Sequence, residues 1–176
     1  MAHIKRIDLT RDVEAHADAY REAIEKVCRE TAFSGGKYAD TFDKEFAAYV
    51  GSKYASGVNN GTSALHLAML ALGVGPGDEV IVPTPSFVCY GPLTEMAGGV
   101  PVYLELKEEN QFRLTAEELR AAITPRTKVL VLPFPSNPTG GIMGREDLEA
   151  IAEVLRGTDI MVVSDEIYAE LTYGQH

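Results

Sequence analysis

The stretch Val162-Val163-Ser164-Asp165-Glu166-Ile167-Tyr168 decides the fold class, because it places an acidic side chain at the end of an apolar run that begins at Ile160. A short β-branched run of this kind predicts a buried strand of a parallel sheet. Open α/β sheets bind their ligands beyond the carboxyl ends of the strands. We therefore expect Asp165 to lie at a ligand site.

A second strand with a similar ending lies upstream. The apolar run Val129-Leu130-Val131-Leu132 leads into Ser136-Asn137-Pro138-Thr139-Gly140, where Pro and Gly mark a turn. Helical and strand patterns alternate along the rest of the chain, which predicts βαβ units. The predicted fold class is α/β, with a mainly parallel sheet in a three-layer α/β/α arrangement.

The periodicity predicts the individual elements and a division of the chain. Helices are expected over residues 13–31, 42–50, 62–72, 90–97, 115 onward and 145–155. Strands are expected over residues 54–58, 79–83, 102–106, 128–132 and 160–163. The second helix carries three aromatic residues that are expected to point inward: Phe42, Phe46 and Tyr49. We expect a helical segment over residues 1–50 and a larger ligand-binding part over residues 51–176, together forming one compact domain.

Composition narrows the classes of function. The 176 residues carry a net charge of -10, which argues against a nucleic acid or an anionic membrane as partner. Of the two cysteines, Cys28 and Cys89, neither lies in a pattern with metal-ligand spacing, so no metal site is expected. A reducing, cytoplasmic setting fits this composition. Residues 1–10 have no long apolar core, and we expect neither a signal peptide nor a membrane anchor there.

A turn of small polar residues precedes the third predicted helix. In Asn59-Asn60-Gly61-Thr62-Ser63, the free N–H groups and the positive end of the helix dipole converge. The amides of Gly61 and Thr62 and the hydroxyls of Thr62 and Ser63 could hold a phosphate. Alternatively, Asn60 or Thr62 simply caps the helix. The turn is not a P-loop, because no Gly-Lys-Ser/Thr follows it.

These motifs resemble two families of aminotransferases that depend on pyridoxal phosphate (PLP). Over residues 6–83, the segments FSGGKY, FDKEFAAYVGSKYA and NNGTSALHLAMLALGVGPGDEVIVPT resemble the DegT/DnrJ/EryC1 sugar aminotransferases. From residue 90 onward, GPLTEMAGGVPVYL, SNPTGG and SDEIYAELTYG resemble class I/II aminotransferases, which act on amino acids. Both families share the large domain of fold type I. The resemblance implies a partial large domain, from either a chimera or a divergent natural protein.

The resemblance also implies roles for individual residues around PLP. Asp165 matches the acid that pairs with the pyridine nitrogen and keeps it protonated. Asn137 and Tyr168 match the residues that hydrogen-bond the ring oxygen, and Phe87 matches the aromatic that stacks on the ring. Three alternatives remain open: Phe87 as a core aromatic, Tyr168 as a core or interface tyrosine, and Asp165 as a helix cap.

The resembling families use a Schiff-base lysine that follows the SDEIY motif, and no lysine follows Lys128 here. We therefore expect no catalytic lysine within these 176 residues, and Lys37 is the one lysine that could approach a cofactor. The chain by itself is expected to be inactive, and to form a homodimer or otherwise self-associate through uncovered sheet surface. Its substrates would be a small-molecule amino donor and a keto acceptor, either a keto sugar or a keto acid. The alternative function is a natural or engineered binding module or scaffold without cofactor chemistry.

Overall fold

The computed structural model describes residues 8–173, so most of the N-terminal stretch 1–10 lies outside the described residues. The chain divides into two compact units, Met1–Gly57 and Val58–His176. The first unit contains helices α1 (Thr10–Arg29) and α2 (Lys37–Val50). In α2, Ala47 is the buried residue, while the rings of Phe42 and Phe46 stack with centroids 5.6 Å apart and remain exposed. The prediction that these aromatic residues point inward is therefore wrong within this unit.

The prediction of a strand over residues 54–58 is also wrong. The backbone there forms no regular strand, and the Gly57 amide donates a 2.6 Å hydrogen bond to the Asp43 carboxylate of α2. The Ser52 hydroxyl likewise donates to the Tyr54 carbonyl at 2.8 Å. Local side chains satisfy groups that a strand would offer to a neighbouring strand, so the apolar pattern does not lead to pairing.

The second unit is built on a four-stranded parallel sheet, as the sequence predicts. Its strands are β1 (Glu79–Thr84), β2 (Val100–Glu105), β3 (Thr127–Leu132) and β4 (Met161–Ser164), in the spatial order β2-β1-β3-β4. The helices are α3 (Gly61–Ala71), α4 (Tyr90–Met96), α5 (Ala116–Ala122) and α6 (Arg145–Leu155). Short 3-10 turns occupy Glu108–Asn110 and Ala169–Leu171. A capping box opens α5, where the Glu118 amide donates to the Thr115 hydroxyl at 3.2 Å.

Two apolar clusters lie on opposite faces of the sheet, because successive side chains of a strand point in opposite directions. Ile81 and Leu130 belong to one cluster, with Leu119 of α5 and Ile151 of α6. The other cluster contains Met69 of α3 and the following residues of the strands and of α4: Val80, Val82, Tyr90, Val129, Val131 and Val163. Helices therefore cover both faces, and the α/β/α fold class is confirmed.

Charged residues tie the amino ends of the central strands together. Glu79 is only 4% exposed and accepts hydrogen bonds from the Thr124 hydroxyl and the Arg126 guanidinium. Lys128 donates to Asp78 at 2.9 Å and to the Gly73 carbonyl at 2.6 Å. Buried carboxylates need such partners. This edge of the sheet is thus filled by structural ion pairs, opposite the edge where the strands end.

Within residues 8–173, no helix combines the length and the apolar character needed to span a bilayer.

Candidate cofactor site

A cavity of about 430 Å³ lies beyond the carboxyl edge of the sheet in the second unit. Its walls come from the loops that follow β1, β3 and β4 and from the first residues of α3. A volume of this size is within the range of small-molecule sites, roughly 300–1,000 Å³. It lies where open α/β sheets bind their ligands.

Six of the seven residues predicted for the cofactor site line this cavity: Gly61, Thr62, Phe87, Asn137, Asp165 and Tyr168. They come from positions as far apart as 61 and 168, and the parallel strands bring them to one edge. Ser63 is not among the lining residues. Its amide donates a 2.8 Å hydrogen bond to the Asn60 side chain, which caps α3. The capping interpretation thus applies to Asn60 and Ser63, while Gly61 and Thr62 remain at the cavity.

The start of α3 presents unsatisfied backbone donors to the cavity. Among the described residues, no hydrogen-bond partner occurs for the amides of Gly61 and Thr62, which are the first two of the helix. A β-carbon added at Gly61 would meet no atom within 4 Å, so the space before this turn is open. Two free amides at the positive end of a helix dipole suit the phosphate group of PLP.

Asp165 is held by three hydrogen bonds at the end of β4. Its amide donates to the Leu132 carbonyl at 3.1 Å, which continues the pairing of β3 and β4. Its Oδ1 atom accepts a 3.3 Å bond from the Ile167 amide, and its Oδ2 atom accepts a 2.9 Å bond from the Tyr90 hydroxyl. The carboxylate therefore has a defined orientation at the cavity wall, and its bond to Ile167 is a local turn contact rather than a helix cap.

Tyr90 is a functional candidate that the sequence motifs do not reveal. It is 4% exposed, and burial together with the neighbouring Asp165 carboxylate raises the pKa of its hydroxyl far above the ordinary tyrosine range. The hydroxyl consequently keeps its proton and donates a hydrogen bond to the Asp165 carboxylate. A clue does exist in the sequence, because Tyr90 lies three residues after Phe87 and begins a helix that leads away from the same loop.

Asn137 and Tyr168 approach each other from the loops after β3 and β4. The Asn137 side-chain amide donates a 3.4 Å hydrogen bond to the Tyr168 hydroxyl. The turn that carries Asn137 is closed by bonds from the Ser136 amide to the Gly141 carbonyl, 2.9 Å, and from the Gly140 amide to the Ser136 carbonyl, 2.7 Å. Gly140 has φ of 70°, a left-handed conformation that glycine adopts readily. An amide and a phenol thus meet at one point, which suits a ring oxygen.

Phe87 and Cys89 complete the wall on the side of β1. The Phe87 ring is 51% exposed and lines the cavity, so it is not an ordinary core aromatic and is available for stacking. The Cys89 thiol is half-buried, and burial is the main cause that raises its pKa. Cys89 is therefore a protonated neighbour of the site and a poor nucleophile.

The cavity has no basic side chain among its lining residues, and two lysines of the described residues, Lys37 and Lys128, form ion pairs. Among the residues that line it, none is Lys, Arg or His, whereas Asp165 and Glu166 bring two carboxylates. Lys128 is bound at the opposite edge of the sheet. In the first unit, Lys37 forms a 2.6 Å ion pair with Glu30, whose hydrogen bond raises the pKa of the lysine. A lysine held as a cation is a poor nucleophile for an aldehyde.

Solved aminotransferase structures share this arrangement of sheet and helices, so the fold is that of the class of PLP-dependent aminotransferases of fold type I. Within that class, the chain belongs to the DegT/DnrJ/EryC1/StrS aminotransferase family, whose model matches residues 15–170. Both resemblances inferred from the motifs are confirmed, because curated class I/II aminotransferases match as well.

Individual relatives differ in how much of the chain they match. The chain is 54% identical to an aspartate aminotransferase of Geobacillus stearothermophilus over 98 residues, which are 56% of this chain and 25% of that protein. It is 45% identical to an asparagine-oxo-acid transaminase of Streptococcus mutans over 116 residues, 66% of this chain and 30% of that protein. The matched part thus spans about a quarter to a third of such relatives.

Among solved structures, DesV of S. venezuelae resembles 94% of this chain with a TM-score of 0.82 and 31% identity, and 43% of DesV is covered. The aspartate aminotransferase of Thermus thermophilus resembles 66% of the chain with a TM-score of 0.63 and 45% identity, and 30% of it is covered. The likeness to DesV includes most of both units, while the likeness to the aspartate aminotransferase is stronger in sequence.

Proposed function

We propose that this chain forms the PLP-binding part of an aminotransferase that transfers amino groups between amino acids and keto acids. The observation that carries the proposal is the convergence of Asp165, Asn137, Tyr168 and Phe87 with the open start of α3 around one cavity. The residues present fit the cofactor, since the phosphate, the ring nitrogen and the ring oxygen of PLP would each meet a group of matching chemistry. PLP, when bound, withdraws electrons from the α-carbon of the substrate.

Different residues of the chain would bind and orient different groups of PLP. The Gly61 and Thr62 amides would hold the phosphate, and the Phe87 ring would cover one face of the cofactor ring. Asp165 would keep the proton on the pyridine nitrogen, because a fixed carboxylate favours the charged form of a neighbouring base. Asn137 and Tyr168 would hydrogen-bond the ring oxygen. With no amine among the described residues that line the cavity, we infer that the chain alone binds the cofactor without covalent attachment and does not turn over.

The choice of amino acids over sugars rests on the relatives. The identity of 54% to an aspartate aminotransferase favours amino and keto acids. The match of the DegT/DnrJ/EryC1/StrS family model to residues 15–170 supports a second candidate, amino transfer to keto sugars, which the resemblance of the first part of the sequence implies. The alternative function is a binding module without a cofactor, which belongs to a different functional class. On this alternative, the chain does not bind PLP.

Titration with PLP, followed by its visible absorbance and by equilibrium dialysis, tests the proposal. We expect saturable binding of one PLP per chain and a much weaker interaction in the variants Asp165→Asn and Gly61→Val. Tyr103→Phe is the matched control, because this exposed tyrosine lies on β2 and does not line the cavity. Absence of saturable PLP binding by the unmodified chain, in a folded state, would favour the binding module instead.

A further inference from the structure

The aromatic ring of Tyr90 is fixed by the core of the second unit. It packs in the apolar cluster that includes Val82 of β1, Val131 of β3 and Val163 of β4. Its backbone carbonyl accepts a 2.9 Å hydrogen bond from the hydroxyl of Thr94, a fully buried residue on the next turn of α4. The hydroxyl is the polar atom of the Tyr90 side chain, and its partner is Asp165, 75 residues away in the chain.

The two oxygens of Asp165 are held with different strength. Oδ2 receives the 2.9 Å bond from the phenol, while Oδ1 receives the longer 3.3 Å bond from the Ile167 amide in its own turn. A hydrogen bond from a rigid, buried donor limits rotation of the carboxylate more than a long contact within a loop does. The orientation of Asp165 therefore depends on Tyr90.

We propose that Tyr90 is a positioning residue whose hydroxyl holds the Asp165 carboxylate in the orientation that meets the ring nitrogen of PLP. The inference rests on the proposed function, because it concerns the same cavity. Tyr90 acts through Asp165 and carries out no chemistry of its own. Burial, together with the Asp165 charge, raises the pKa of the phenol, so its proton stays available for this bond.

The first measurement uses the protein without cofactor. In proton NMR spectra, a buried phenol that donates to a carboxylate gives a downfield hydroxyl signal that exchanges slowly with water. We expect one such signal, absent in Tyr90→Phe, moved upfield in Asp165→Asn and unchanged in the control Tyr103→Phe. A signal at the same position in Asp165→Asn would overturn the assigned bond and with it the positioning role.

The second measurement uses PLP labelled with 15N in the ring. In Tyr90→Phe we expect the nitrogen shift to move toward that of neutral pyridine, and the dissociation constant to rise about ten-fold, the equivalent of about 1.4 kcal/mol. On an Asp165→Asn background the same substitution should change neither quantity, because Tyr90 acts through the carboxylate. Tyr103→Phe should leave both quantities at the values of the unmodified protein.

The outcomes separate this role from the proposed function. If the unmodified protein binds no PLP, the proposed function is overturned and the positioning role with it. If PLP binds and the 15N shift in Tyr90→Phe is unchanged or moves toward the protonated form, the positioning role alone is overturned. Equal losses on both backgrounds would also contradict it. Should Tyr90→Phe fail to fold, the hydroxyl signal in Asp165→Asn still decides the matter, because a signal that does not move there overturns the bond between Tyr90 and Asp165.

Discussion

The Asn137 side-chain amide donates a 3.4 Å hydrogen bond to the Tyr168 hydroxyl, which lies in a different loop. One residue follows β3 and the other follows β4, so the contact joins the ends of neighbouring parallel strands. The bond is long, and both groups line the cavity. Each therefore keeps hydrogen-bonding capacity for a ligand oxygen placed between them.

We predict that Asn137→Ala and Tyr168→Phe each weaken PLP binding and that their effects are not additive. Both groups would bind the same ring oxygen, and each also orients the other through their direct bond. The coupling energy from dissociation constants of the two single variants and the double variant should be about 1 kcal/mol, the net value of a typical hydrogen bond. Pairing Asn137→Ala with Tyr103→Phe serves as the control, for which additivity is expected. Additive losses for Asn137 and Tyr168 would argue that they do not share a ligand atom.

The start of α3 gives a prediction about anions. Inorganic phosphate or PLP should raise the melting temperature of the chain, with about 2.7 kcal/mol of stabilisation at roughly a hundred times the dissociation constant. Gly61→Val should abolish that rise, because its side chain would enter the open space before the free amides.

Gly75→Val is the matched control for this experiment. A β-carbon at Gly75 also meets nothing within 4 Å, and Gly75 lies in a turn that does not line the cavity. Differential scanning fluorimetry at several phosphate concentrations measures the effect. A phosphate response retained in Gly61→Val would leave helix capping by Asn60 as the role of this turn.

The sheet could be predicted from sequence because its strands carry strong local signals. Runs such as Val129-Leu130-Val131-Leu132 are apolar on both faces, as a central parallel strand requires, and the structure has β3 there. Residues 54–58 carry a similar but weaker pattern. Their backbone groups bind Asp43 and Ser52 instead of a strand, and no local pattern reveals whether a neighbouring strand is available.

The cavity was predictable as far as its residues follow strand ends. Asp165 directly follows β4 and Asn137 lies in the loop after β3, five residues beyond Leu132, so the parallel topology places them at the same edge of the sheet. Ser63 does not line the cavity, and its amide donates to the Asn60 cap, so a role of its hydroxyl at the phosphate stays a prediction. Tyr90 was missed because its importance depends on a hydrogen bond to a residue 75 positions away, and a single tyrosine in an apolar helix has no local mark of that contact.

The ion pairs at the amino edge of the sheet predict loss of stability in acid. The hydrogen bond from Lys128 lowers the pKa of Asp78, and the hydrogen bond from Thr124 is the largest cause that lowers the pKa of Glu79. Because both pKa values are lower in the folded state, the unfolded chain takes up protons first as the pH falls. The stabilisation is fully present above the ordinary carboxyl range, about pH 4, and is lost below it as the folded pKa values are crossed.

Urea unfolding between about pH 7 and pH 3 measures this dependence. We expect the denaturation midpoint to fall steeply below about pH 4. The fall should be shallower in Glu79→Gln, because that variant has no carboxylate at position 79 to be protonated. Glu105→Gln is the control, because Glu105 is an exposed carboxylate at the end of β2. Identical pH profiles for Glu79→Gln and the unmodified protein would exclude Glu79 as a source of the acid sensitivity.

The positions of the lysines predict how PLP is held by this chain. In the second unit, Lys128 is bound to Asp78 and Gly73 at the amino edge of the sheet, and Lys107 lies near Glu118 at 4.0 Å. In the first unit, Lys37 is paired with Glu30, and its raised pKa keeps it protonated. We therefore expect PLP to bind without forming a bond to a specific lysine. Borohydride reduction followed by peptide mass spectrometry should find no lysine labelled in stoichiometric amount.

The same geometry predicts that the 176-residue chain does not catalyse transamination with any amino donor. The reaction needs a base at the α-carbon of the substrate, and amines serve this purpose when they lie at hydrogen-bond distance. Coupled assays with amino acid donors and either keto acid or keto sugar acceptors should show only the rate of free PLP. Glu30→Gln provides a sharp test, because it removes the ion pair of Lys37 and frees that amine. If stoichiometric labelling or turnover appeared in the unmodified chain and increased in Glu30→Gln, Lys37 would be the attachment site, and the noncovalent mode of binding would be wrong.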